Sequence, residues 1–153
     1  MIKKIYLFVC IFTLFGTVPV KGNSHQTHSE SITNNIISQI EIQKDIKANA
    51  LTKIDDNYSF KYVFPQGARK MGSSVLRVEV LYNGVRTTDL DIDVEYDMPS
   101  MKAHKGKAKM RVNKNSNVYL EPINFVMGGE WEVVLIFKKD GKIIYKGSIS
   151  VKI

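Results

Sequence analysis

The side chains of this sequence with the most chemistry to offer are thioethers and one imidazole, gathered around a short loop. Met98-Pro99-Ser100-Met101-Lys102-Ala103-His104-Lys105-Gly106 interrupts a strand-like pattern, and its Pro, Ser and Gly mark a loop. Met98, Met101 and His104 recur every third residue, and Met127 follows at the Gly128-Gly129 turn, just before Trp131. Monovalent copper is soft and prefers polarisable sulfur, while imidazole serves both copper oxidation states. Thioethers form no disulfides, so they suit an oxidising compartment. Met98, Met101, His104 and Met127 are therefore candidate Cu(I) ligands. Each also has a plainer role. Met98 and Met127 could plug the open end of a sandwich, as methionines fill irregular gaps. His104 sits among Lys102, Lys105 and Lys107 and also reads as a solvated surface residue. Trp131 reads first as a core tryptophan, and second as an indole lying over a bound cation. Met110 falls in a strand pattern and reads as core, and Met71 beside Gly72-Ser73 as a loop or edge residue.

A second, weaker copper set depends on processing. Cleavage after Gly22 would leave Asn23-Ser24-His25 at the new amino terminus. A free amine, two amide nitrogens and the His25 imidazole form a square-planar nitrogen set suited to Cu(II) or Ni(II). The plainer reading is a histidine in a polar tail.

Enzymatic constellations are missing. The single cysteine, Cys10, lies in an apolar amino-terminal run, and Val9 before it does not suit a lipoprotein site. The processed chain would hold no thiol nucleophile or disulfide. No HExxH, Walker or GxSxG pattern occurs. Asp89, Asp91, Asp93 and Glu95 alternate along a strand, which makes them its solvent face and not a calcium loop. The sequence predicts a protein that is not an enzyme. Nor does it predict nucleic-acid binding, because its basic residues are spread among acids with no long positive run.

The elements that must position the loop are strands. Met1-Ile2-Lys3-Lys4, an uncharged run from Ile5 to Val20, and Lys21-Gly22 form a secretory signal over residues 1–22. The run is at the short edge for a spanning helix, so cleavage is the first reading and an uncleaved anchor the second. Loss of Lys3, Lys4 and Lys21 with no acid takes the formal charge from +7 to +4. Residues 23–50 read as a polar linker. Ile32, Ile36, Ile37 and Ile40 are spaced for a short helix over 31–43. The domain proper is expected over 51–153. Strands are predicted over 58–64, 75–82, 90–96, 107–112, 118–127, 130–138 and 143–153. Asn83-Gly84 and Asp140-Gly141 are hairpin signals. About seven one-faced strands predict an all-β sandwich.

Met98-Pro99-x-Met101 with a nearby histidine, then Phe125-x-Met127-x-Gly129-x-Trp131, resembles the YtkA-like domain family, related to FixH-type proteins. The likeness spans roughly residues 55–153. It implies an immunoglobulin-like sandwich that is periplasmic or otherwise exported, or held by an uncleaved amino-terminal helix. It also implies copper handling, or assembly work on a membrane or periplasmic partner such as a respiratory oxidase assembly factor. Lys102 and Lys105 stand where many relatives carry further Met or His, and Asn117-Val118-Tyr119 replaces their Gly-x-Tyr, so the ligand set here is thinner. Two functions follow as expectations. One is copper binding or delivery through the Met/His loop. The other is a metal-free envelope interaction or oxidase-assembly module.

Overall fold

The computed structural model describes residues 40–68, 70–101 and 103–153. The expected signal peptide, His25 and residues 31–39 of the expected helix lie outside the described residues. The strands, in chain order, are β1 (Ile42–Gln43), β2 (Thr52–Lys53), β3 (Tyr58–Val63), β4 (Gly72–Tyr82), β5 (Val85–Thr87) and β6 (Asp91–Asp97). They continue as β7 (Lys105–Lys109), β8 (Arg111–Asn113), β9 (Val118–Phe125), β10 (Glu130–Lys139) and β11 (Lys142–Lys152). Among the described residues there is no helix.

Alternation explains why these segments form strands and which way they face. Tyr58, Phe60 and Tyr62 of β3, Leu76, Val78 and Val80 of β4, and Val133, Leu135 and Phe137 of β10 are buried, while their neighbours face outward. Period-2 burial is what one face of a sheet demands. Phe60, Phe137 and Tyr145 meet between the sheets, with ring centroids 4.5 and 5.5 Å from Phe60.

Sheet I has the order β1-β11-β10-β6-β7, and sheet II the order β2-β3-β4-β9-β8 with β5 paired to β4. The orders β3-β4-β9-β8 and β11-β10-β6 repeat the ABED and GFC arrangement of an immunoglobulin sandwich. Asn83 and Gly84, and likewise Asp140 and Gly141, hold positive φ in tight turns, as both hairpin signals require.

Both edges are joined by the chain itself. On one side the expected single strand 107–112 is two strands. The Met110 amide donates to Ile92 O at 2.8 Å in sheet I, and the next residue, Arg111, pairs with Leu120 in sheet II. Met110 is buried at this crossing, as its strand pattern implied. On the other side, β1 pairs in parallel with β11, and Ile46 N donates to Ser148 O at 3.1 Å. The chain then crosses to β2 on sheet II. Ile46 is buried, and its carbonyl accepts from Tyr62 Oη at 2.9 Å. Gly147 makes this possible, since a Cβ there would lie 3.2 Å from Ile46 Cδ1 and 2.9 Å from the Tyr145 ring.

Two sequence expectations bear on this stretch. Within the expected 23–50 linker, Ile42–Gln43 and Ile46 dock on β11. The carboxyl end of the expected 31–43 helix is a strand at Ile42–Gln43, because the amides there bond to β11.

The end of the sandwich away from the methionine loop is tied by a polar network. Asp89 accepts from Tyr58 Oη at 2.6 Å, Lys139 Nζ at 2.7 Å and Thr87 Oγ1 at 2.8 Å. Partial burial alone would raise its pKa. The hydrogen bonds from Lys139, Tyr58 and Thr87 outweigh burial and pull it down to about 2.

Removing the buried Ile46 side chain from its seat over Gly147 should be felt across the strap. Ile46→Ala should cost about 2 kcal/mol by urea unfolding, and an unchanged midpoint would mean the strap is not docked. The contribution of Asp89 is fully present above its unfolded pKa near 4 and is lost as pH falls toward 2. A melting-temperature series from pH 5 to 2 should therefore decline less steeply in Asp89→Asn than in the parent, and parallel curves would break the assignment.

Candidate functional site

The methionine loop joins β6 to β7 and consists of two hydrogen-bonded turns in series. Met101 N donates to Met98 O at 2.7 Å, and His104 N donates to Met101 O at 3.1 Å. The three-residue spacing seen in the sequence is thus the repeat of these turns, with Met98, Met101 and His104 at their ends. Strand β6 ends just before Met98, and β7 begins just after His104.

The four candidate ligands have different surroundings. Met98 is 6% exposed and belongs to the core. Its methyl group packs on Gly129, where a Cβ would overlap it. Met127 is half-buried against the same core. Met101 stands out at 43% exposure, and His104 is half-buried. The structure therefore brings Met98 to the loop that carries Met127, while Met101 reaches into solvent.

Trp131 takes the core position. It is 2% exposed and packs edge-on against Phe125 at 5.4 Å, with Tyr96 at 6.5 Å. Its Nε1 donates to Met127 O at 3.1 Å, which fixes the Met127 backbone. Gly129 exchanges two backbone hydrogen bonds with Ile153, at 3.1 and 2.9 Å, and so extends the β10–β11 ladder beneath Met98. Gly129 has φ of +138°, a conformation open to glycine. Met71 is exposed just before β4, a central strand, and so is the loop residue of its two expected readings.

In kind, these donors fit a soft ion. Two thioethers and an imidazole lie on one short loop, and a third thioether is on the loop packed against it. Among the described residues no group of three or more His, Cys, Asp or Glu could hold a metal. Beside the loop, Pro99 and Trp131 border a cleft of about 490 Å³ on the outer side of β10 and β11, whose other walls include Asp45, Glu130, Ser148 and Ser150.

Sequence reasoning missed Glu79. The alternation of β4 reads it as solvent-facing, and it does point outward, yet it is only 6% exposed. Lys61 Nζ lies 3.1 Å away, Arg86 2.8 Å and Arg77 3.8 Å. Burial would raise its pKa, but the hydrogen bonds from Arg86 and Lys61 lower it. The available signal was the register Lys61↔Glu79 and Leu81↔Arg86, which the two hairpins set. Asp91, Asp93 and Glu95 do lie on the outer face of their strand, each paired with a lysine: Lys109 at 2.7 Å, Lys138 at 2.6 Å and Lys107 at 2.8 Å.

Gly129→Ala should destabilise the fold by about 3 kcal/mol, combining strain at positive φ with overpacking on Met98. In Gly129→Ala/Met98→Ala the space vacated by the thioether should accept the new methyl. The double variant should then be less destabilised in urea unfolding than the sum of the two single variants. Strict additivity would show that the two residues do not touch.

Comparison with known proteins gives this chain its family. A family model described as YtkA-like matches residues 52–135, a span that includes Met98, Met101, His104, Met127 and Trp131. Among solved structures, FetP of uropathogenic Escherichia coli, isolated after recombinant expression in the periplasm, aligns with a TM-score of 0.45 and 11% identity. The alignment covers 69% of this chain and 93% of FetP. A copper-bound glutamate-to-glutamine variant of FetP aligns with a TM-score of 0.42 and 10% identity over the same shares. No curated protein matches the sequence. The chain belongs to the YtkA-like family.

Proposed function

We propose that this is an exported YtkA-like sandwich that binds or delivers copper as Cu(I), with Met98, Met101, His104 and Met127 as the ligand set. One observation carries the reading. Two methionine-bearing loops, far apart in sequence, meet at one end of the sandwich, with Met98 packed on Gly129 two residues from Met127. The basic start and apolar run of residues 1–22 support export, and thioether ligation suits the oxidising compartment reached that way.

The surroundings of each donor give them an order of use. Met101 is exposed and meets the ion first. The half-buried His104 and Met127 follow, Met127 held in place through its carbonyl by Trp131. Met98 joins only by turning out from Gly129. Exposing a buried methionine costs roughly 1.5–3 kcal/mol. That cost weakens a four-donor complex and favours release, which suits delivery more than storage.

A metal-free reading, in which the sandwich acts on a membrane or periplasmic partner such as an oxidase assembly factor, draws support from the burial of Met98 and Trp131. Both already have a packing role that needs no ion.

The two readings separate in a titration of the reduced protein with Cu(I) against a competing chelator. Met98→Leu, Met101→Leu and Met127→Leu keep apolar volume while removing sulfur, and His104→Ala removes the imidazole. Each should weaken Cu(I) binding at least about tenfold, or about 1.4 kcal/mol. Affinity unchanged in all four would remove copper and leave the metal-free module.

A further inference from the structure

We infer that the outer face of sheet II is a docking surface for an anionic lipid bilayer. The inference is independent of the copper reading. It rests on a charge division between the two faces that the linear sequence hides.

On sheet I, the outward strand positions balance. Asp91, Asp93, Glu95 and Asp97 of β6 and Glu130 and Glu132 of β10 face outward. So do Lys105, Lys107 and Lys109 of β7, Lys138 of β10, and Lys146 and Lys152 of β11. Six acids meet six cations, and three pairs are closed at 2.6 to 2.8 Å.

Sheet II differs. Lys53, Lys61, Arg77 and Arg86 face outward from β2, β3, β4 and β5, and the single carboxylate among them is Glu79. Arg111 at the far edge lies 3.9 Å from Glu121. The excess positive charge of the two strand faces therefore lies on sheet II. Glu79 does not cancel it. Its carboxylate lies 2.8 Å from Arg86 and 3.1 Å from Lys61, which holds both heads over a hollow of about 240 Å³ together with Arg77. Beside them, Val75, Leu120 and Pro122 face outward next to Val112 and Arg111, around a groove of about 440 Å³.

The form of this face selects a bilayer over a folded acidic protein. Protein interfaces concentrate their energy in Trp, Tyr and Arg anchors seated in matched pockets. No Trp, Tyr or Phe lies among the outward strand residues here; between the cations stand Val63, Val75, Leu120 and Pro122. Cations spread over a broad sheet with short aliphatic side chains between them need no shape match. They suit headgroups that rearrange around them, with the aliphatic groups entering the interface. An uncleaved apolar run at residues 5–20 would also hold the chain at a bilayer.

The test uses the full chain and vesicles of phosphatidylcholine with or without 30% phosphatidylglycerol (about one lipid in three anionic). The readout is the ratio of binding to anionic over neutral vesicles, which cancels the apolar contribution of residues 5–20. Lys53→Gln/Arg77→Gln/Arg111→Gln removes three cations from sheet II. Lys105→Gln/Lys146→Gln/Lys152→Gln removes three from sheet I, so the net charge change is the same. Each cation near an anionic surface contributes about fivefold. The parent should prefer anionic vesicles, and the preference should fall as salt is raised. The sheet II variant should lose about a hundredfold, and the sheet I variant less than threefold. Equal losses in the two variants, or a parent without preference, overturns the proposal. So does tighter binding to soluble polyglutamate than to anionic vesicles, which would identify an acidic protein as the partner.

Discussion

Two sheets that close face to face leave two edges and two ends that strand alternation alone cannot seal, and the rest of this molecule is organised by how those openings are filled. The edges are sealed by the chain crossing between sheets, at Met110 on one side and at Ile46 on the other. An edge that ends in a crossing offers fewer unpaired amides to a neighbour. The ends are filled differently. One carries Tyr58, Asp89, Thr87 and Lys139 in a network of short hydrogen bonds. The other is filled by Phe125, Trp131, Tyr96 and the thioethers of Met98 and Met127. The candidate soft donors thereby lie at one end.

Charge follows a similar division. On sheet I, carboxylates and lysines alternate across strands; the Lys107–Glu95 and Lys109–Asp91 pairs contribute little individually because they are exposed and screened, while Lys138–Asp93 is part-buried. On sheet II the acid is buried and the cations exposed, at 7% against 43% and 48% for the Glu79, Lys61 and Arg86 side chains. A buried carboxylate can stay ionised only because cations hold it. The cations it holds are in turn kept at the surface in fixed positions, so a stability element and a surface charge pattern are the same set of residues.

Much of the fold was legible because alternation is a local property. The residues Tyr58, Phe60 and Tyr62 announce an inward face without knowledge of any partner. So do the turn residues Asn83-Gly84 and Asp140-Gly141, whose positive φ is a property of two residues alone. The split at Met110 was not legible. Ala108, Met110 and Val112 alternate without interruption across it, and alternation says which face is apolar but not which sheet the strand joins. The strap failed for the opposite reason. Ile32, Ile36, Ile37 and Ile40 carry helical spacing up to its start, whereas Ile42–Gln43 are strand because β11 offers an open edge there. The placement of the candidate site was half legible. Residue types and spacing picked out Met98, Met101, His104 and Met127, and the turns account for the spacing. Burial of Met98 depends on Gly129, thirty-one residues later, and no local pattern carries that.

Met98 is where packing and ligand chemistry compete for one atom. The thioether is held against Gly129, and the absence of a Cβ there is what admits it. A sulfur so placed is shielded from solvent oxidants, whereas Met101 is not. On the copper proposal, an ion drawn to this end would meet exposed Met101 before buried Met98 could contribute. The loop turns at the hydrogen bonds Met101 N to Met98 O and His104 N to Met101 O, and Trp131 binds the Met127 carbonyl. Of the proposed donors, Met127 is thus tied to the sandwich and Met101 stands out from it on the loop. On the copper proposal, that division would let a small β-sandwich offer soft donors without giving up the side chains that close its end.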